Sequence, residues 1–138
     1  MMLADSPLVD EVISKYVGLP FVHNGRDPAV GVDCLGLIHC LYKELGITFP
    51  ADDGNPIDPN WHEIDPGRYL RNLLELGVAV EVPQKLDLVY FYIKGEVRHA
   101  GIMVSDTSFI HTLQNRHSRI TRLARYWQYA LAGVRRMI

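Results

Sequence analysis

Apolar residues recur at helical spacing in the first part of the chain and at alternating spacing in the last. Ser6-Pro7 supplies an N-cap and a first helical residue ahead of Leu8, Val9, Val12, Ile13 and Val17, and Gly18 closes the run. A second run puts Cys34, Leu37, Ile38, Leu41 and Leu45 on one helical face, with Asp33 as N-cap and Gly46 and Pro50 as the stop. A third helix is expected from Pro66-Gly67 through Leu70, Leu73 and Leu74 to Gly77. Leu19 to Val32 and Ala51 to Gly67, rich in glycine, proline and polar residues, read as loops.

From Leu86 onward the period changes. Leu86 to Ile93 reads as a strand with Val89, Phe91 and Ile93 on one face, turning at Lys94-Gly95-Glu96 into a second strand, Val97 to Val104. Ser105 to Ser108 is a further turn and Phe109 to Leu113 a third strand. Ile120 to Leu123 and Leu131 to Arg136 read as strands, with a helical turn around Trp127. Helices first and a strand meander after them predict an α+β fold, and 138 residues without repeat or linker predict one domain, residues 1–138.

Composition narrows the function classes. A net charge of -2 argues against a general nucleic-acid binder, which would present a basic face. The arginines at 116, 119, 122, 125, 135 and 136 read as a solvated face. The opening residues Met1 to Pro7 lack the basic region and apolar core of a signal peptide, and no run is long enough to cross a membrane. The expectation is a protein made in the cytoplasm that anything outside must deliver. Cys34 and Cys40 stand at i and i+6 on one helix and point to different sides, so no disulfide is expected and Cys40 reads as buried packing.

Cys34 sits in the first turn of its helix, where the dipole and the free backbone N–H groups favour an anion and draw a thiol toward thiolate. That makes it a candidate nucleophile, although a cysteine opening an apolar stripe also fits simple core packing. A nucleophilic cysteine needs a base and a group to orient that base. His99, between Arg98 and Ala100-Gly101, is the candidate base, and His111 the candidate third group. Their mean position falls in the turn at Ser105, so they should be near neighbours across a hairpin. They share a face only if the loop is odd in length or bulged. Taken singly, each histidine reads first as structural. His39 lies off the apolar stripe and is expected to be solvated, His62 and His117 read as surface residues, and His23 belongs to a loop that would wall the site. The spacings match no zinc pattern, and neither a metal nor another cofactor is expected.

With these residues in place, the chain resembles the NlpC-type bacterial cell-wall cysteine peptidases. Asp33-Cys34-Leu35-Gly36-Leu37 resembles their Asp-Cys-Ser-Gly-Leu motif, and Gly18-Leu19-Pro20-Phe21 their Gly-x-Pro-Tyr loop. Lys85 to Phe91 resembles their Gly-Asp-Leu-Val-Phe-Phe strand, His99-Ala100-Gly101-Ile102 their His-Val-Gly-Ile strand, and Phe109-Ile110-His111 their third catalytic segment. The five matches keep their order across roughly Leu8 to Thr112. The loop with His23 and Arg26 is most similar to phage and prophage members, some of them tail-assembly proteins.

The resemblance implies a papain-like NlpC fold, with N-terminal helices packed on an antiparallel β-sheet. The implied reaction is cleavage of peptidoglycan stem peptides, usually at the γ-linked bond between D-glutamate and a diamino acid such as diaminopimelate. Cys34 would attack the carbonyl, His99 would act as base and then acid, His111 would orient His99, and the Cys34 amide would help bind the oxyanion. Phe21, His23, Asp33 and Leu35 would lie along the substrate. The implied partners are the peptidoglycan peptide and, in the phage branch, tail proteins, with action at the wall after delivery, as part of a virion in that branch. Three positions depart from the pattern: Phe21 replaces a tyrosine, Leu35 a serine, and Leu86 the glycine before Asp87, the last read as a local turn difference. Two other functions stay open: thiol chemistry on another acyl substrate, as in an amidase, transferase or toxin, and a non-catalytic assembly module of a phage tail or secretion machine.

Overall fold

The computed structural model describes residues 3–47 and 76–138. The third helix expected from Pro66, the acidic loop and His62 lie outside them. Helix α1 (Pro7–Lys15) starts where its cap predicts, with the Ser6 side chain accepting from the Leu8 N–H. It buries Val9 and Ile13 but leaves Leu8 exposed, so its apolar face is narrower than the sequence suggests. Inside the following loop, two short strands, β1 (Arg26–Asp27) and β2 (Gly31–Val32), pair with each other; neither was expected. Helix α2 (Cys34–Glu44) begins at the predicted cap, and Gly46, at φ +76°, ends it in the left-handed conformation that suits glycine. Leu37, Ile38 and Leu41 are fully buried, each worth about 1.5–3 kcal/mol relative to exposure.

The rest of the described chain builds one antiparallel sheet. Strands β4 (Leu88–Ile93), β5 (Glu96–Met103), β6 (Ser108–His111) and β7 (Arg119–Arg122) follow one another as a meander. A short helix, α3 (Tyr126–Ala130), leads to β8 (Leu131–Arg136), which returns to pair with β4 on one side and β3 (Val78–Val80) on the other. The strand order is therefore β3-β8-β4-β5-β6-β7. The β4–β5 turn is the two-residue Lys94-Gly95, both with positive φ (53° and 81°), as a twisted hairpin requires.

Each face of the sheet has its own core. Leu88, Tyr90, Ala100, Ile102 and Ile110 pack with α1 and α2. Val89, Phe91, Met103, Phe109 and Val134 pack on the other face with Ala130 and Trp127 of α3. A bulge decides which face His99 takes. Phe91 pairs with His99 but Tyr92 pairs with Val97, so Arg98 is an extra residue in β5. Val97 consequently packs in the helix-side core, while His99, two residues on, stacks against Phe91 and Trp127 on the other face.

The sheet is tied at its start by a buried ion pair. Asp87 accepts from Arg136 Nε at 3.0 Å and Nη2 at 2.9 Å, and from the Gln84 N–H at 2.8 Å. Arg135 donates to the Leu76 carbonyl at 2.7 Å. These two arginines are half-buried and engaged, not part of a solvated face, because β8 lies inside the sheet and not at its edge. Leu86 is buried at φ +75°, a glycine-type conformation, with its carbonyl accepting from the Tyr42 hydroxyl at 2.7 Å.

Candidate active site

Cys34 is the first residue of α2, half-buried and outside any disulfide. Its position is fixed by Asp33. One carboxylate oxygen of Asp33 accepts from the Gly36 N–H at 2.8 Å and from Arg26 Nη1 at 3.0 Å; the other accepts from the Asn24 N–H at 2.9 Å. The same side chain thus caps the helix and clamps the preceding loop to it. Gly36 completes this junction: a Cβ there would lie 1.9 Å from the Gly25 carbonyl oxygen, so the first turn of α2 can meet the loop only through glycine.

Helix α2 packs across β5. Cys34 and Leu35 lie at the margin of the core cluster that contains Ala100, the residue after His99. On β5 and β6 the two histidines meet: His99 Nε2 and His111 Nδ1 are 2.7 Å apart. The hairpin register explains how. Ile102 pairs with Ile110 and Met103 with Phe109, which sets His111 opposite Gly101. His99 is two residues further along the same face, so the pair is diagonal and not directly opposed, and its rings bridge the gap. The Val104 N–H donates to the Ser108 carbonyl, leaving the three-residue loop Ser105-Asp106-Thr107, odd in length as a shared face requires. Gly101 makes the approach possible: a Cβ there would be 2.6 Å from the Ile110 carbonyl oxygen and 3.2 Å from the His111 Cβ.

Aromatic rings enclose the pair. Trp127 lies 5.3 Å from the His99 ring centroid and 5.0 Å from that of His111, Phe91 lies 5.8 Å from His99, and Phe109 lies 4.5 Å from His111. Burial disfavours charge on both imidazoles. It pushes His99 down to about 3, helped by the His111 charge, and His111 down to about 4, helped by Arg119. Both rings are therefore neutral near pH 7, the form that can accept a proton. The far nitrogen of His111, Nε2, is 2.8 Å from the Thr121 hydroxyl on β7.

The remaining sequence candidates fall around this frame. Phe21 and Leu35 are half-buried, and His23 is exposed on the loop ahead of α2. That loop is held to the sheet through Ser118: its N–H donates to the Leu19 carbonyl, its carbonyl accepts from the Gly18 N–H, and its hydroxyl accepts from the Leu19 N–H and donates to the Tyr16 carbonyl. Cys40 is buried, with its thiol on the Arg26 carbonyl and its pKa raised by desolvation. His39 is half-buried, with Nδ1 sealed and without a hydrogen bond, and is not the solvated residue its place off the stripe suggests. Among the described residues no His, Cys, Asp and Glu side chains gather as a metal-binding group. Trp127 and Thr121 were not foreseen. Trp127 was legible only as a helix former, and Thr121, set among the arginines of β7, gives no signal until the strand register is known.

A helix that opens on a cysteine, packed on an antiparallel sheet that carries a hydrogen-bonded histidine pair, defines an α+β protein. The model of the NlpC/P60 family matches residues 18–136, and the chain belongs to that family. It is 31% identical over 140 residues to a gamma-DL-glutamyl hydrolase of Bacillus subtilis, covering 96% of this chain and 29% of that protein. It is 33% identical over 115 residues to a gamma-D-glutamyl-L-lysine dipeptidyl-peptidase of Bacillus cereus, covering 78% and 29%. The chain thus spans less than a third of the length of these relatives. Among solved structures, a lipoprotein-like NLP/P60 protein of Staphylococcus aureus matches with a TM-score of 0.63 at 26% identity, over 97% of this chain and 42% of that one.

Proposed function

We propose that this chain is a cysteine peptidase of peptidoglycan that cleaves stem peptides at the γ-D-glutamyl bond to a diamino acid. The observation that carries the reading is the buried His99–His111 hydrogen bond, with His99 on β5, the strand across which the helix that opens with Cys34 packs. The names of the two Bacillus relatives, both γ-glutamyl hydrolases or peptidases, support the bond.

In this reading Cys34 Sγ attacks the γ-carbonyl carbon and its proton passes to His99 Nδ1. The oxyanion is met by the Cys34 backbone N–H at the start of α2. The C–N bond then breaks, His99 returns the proton to the leaving amine, and a thioester remains. Water, deprotonated by His99, cleaves the thioester to a carboxylic acid and restores the thiol. His111 holds His99 through Nε2, which keeps the reactive nitrogen free. Phe21, His23 and Leu35 line the approach, and Leu35 and Phe21 offer apolar contacts where the family pattern has hydroxyls. Asp33 acts beside them through position, since its carboxylate is engaged by Gly36, Asn24 and Arg26.

The loop holding His23 and Arg26 extends the proposal to a phage-type member that works at the wall after delivery. Recovery of the chain from purified virions supports that extension; its recovery only from cells lacking phage particles overturns it. The peptidase reading is tested by mass spectrometry of stem peptides incubated with wild type and Cys34→Ala. Cleavage by wild type alone is expected; cleavage by both, or by neither, overturns it.

A further inference from the structure

We infer that Thr121 is a positioning residue of this site, the hydroxyl at the end of a one-way proton chain that sets which nitrogen of His99 is free. The inference rests on the proposed roles of Cys34, His99 and His111.

Thr121 stands on β7, opposite Phe109 and diagonal to His111, on the same face of the sheet. Its Oγ1 is 2.8 Å from His111 Nε2, and His111 Nδ1 is 2.7 Å from His99 Nε2. A neutral imidazole carries one proton, so each ring is a donor at one nitrogen and an acceptor at the other. For His99 to take a proton at Nδ1, its own proton must sit on Nε2 and be donated to His111 Nδ1. His111 must then hold its proton on Nε2 and donate it to Thr121. The sequence of donors runs His99 to His111 to Thr121, and it ends on an oxygen that can accept.

Reversal of the chain would place a proton on His99 Nδ1 and block it as a base. Without the hydroxyl, the catalytic direction leaves the His111 Nε2 proton buried with no acceptor, which is the costlier arrangement. When His99 becomes imidazolium, the same direction persists and no proton has to be rearranged. Thr121 therefore acts on the nucleophile through two rings, without touching substrate.

The test compares Thr121→Val, a near-isostere that keeps β-propensity, with Thr121→Ser, which keeps the hydroxyl. Nitrogen-15 NMR of labelled histidine reads the tautomers directly, whether or not a substrate is cleaved. In wild type both rings are expected to be protonated at Nε2. In Thr121→Val the His111 proton is expected to move to Nδ1, and Thr121→Ser is expected to restore the wild-type pattern. On stem peptides, kcat is expected to fall about tenfold in the valine variant, with KM unchanged and recovery in the serine variant. Unchanged tautomers and kcat in Thr121→Val, or failure of Thr121→Ser to recover, overturn the inference. Loss of cleavage by wild type with the expected tautomers would instead overturn the peptidase reading.

Discussion

Acidification should unfold this protein through two buried rings. His99 is 3% exposed and His111 fully buried, and the fold holds their pKa values at about 3 and about 4 against an ordinary value of 6.5. An unfolded chain takes up a proton on each ring as the pH drops through 6.5; the folded chain does not until about 4. Stability is therefore whole above 6.5 and is lost as the pH falls below it. At pH 5, which lies above both folded values, each histidine costs about 2 kcal/mol; at pH 7 the cost is a few tenths. The pair together should lower stability by about 4 kcal/mol between pH 7 and 5, a large share of the roughly 5–15 kcal/mol usual for a domain. Glu44, whose pKa is lowered first by hydrogen bonds from Lys15 and Tyr16, acts below 4.5 and stays out of this window. Urea titrations at both pH values measure the loss. His111→Gln should lose about half as much as wild type. A wild-type loss under about 1 kcal/mol, or an equal loss in His111→Gln, would refute the argument.

Two substitutions probe how the site is held. Asp33→Ala removes a helix cap together with the carboxylate's hydrogen bonds to the Asn24 N–H and Arg26 Nη1, and should cost about 2–3 kcal/mol. Thermal denaturation checks it, and a melting point equal to that of wild type counts against the clamp. Gly101→Ala sets a methyl against the Ile110 carbonyl and His111 and should cost about 1–3 kcal/mol. It should also weaken the His99–His111 hydrogen bond, read as a shift of the downfield imidazole N–H resonance; an unmoved resonance argues that β6 does not need this glycine.

Period and caps were enough to place α1, α2 and the meander, because each of those elements is specified locally. Ser6 and Asp33 each cap the helix they announce, and Gly46 ends α2 as its place predicts. What sequence could not supply was pairing between distant segments. Nothing local tells that Leu131–Arg136 enters the sheet between β3 and β4, so Arg135 and Arg136 read as solvent-facing when they are anchors. The meeting of His99 and His111 was legible to within two residues of register. The offset came from a register centred one residue later, at Asp106, and from the Arg98 bulge, which selects the face. Leu86 marks a limit of motif reading: a leucine occupies the glycine position and still takes the left-handed backbone, held by the Tyr42 hydroxyl and its own burial.

The insertion of β8 also has a consequence for how the chain is made. Synthesis delivers β4 to β7 before β8, so the growing sheet has β4 at its rim, with one row of backbone donors and acceptors bare. Among the described residues β3, already emerged, pairs with β8 alone. A nascent chain at that stage exposes the kind of open edge that recruits other chains. β8 works as a closing insert, and Arg136 locks it by reaching Asp87 at the beginning of β4. Ribosome-bound intermediates that stop short of residue 131 should need chaperone cover that chains with β8 in place do not.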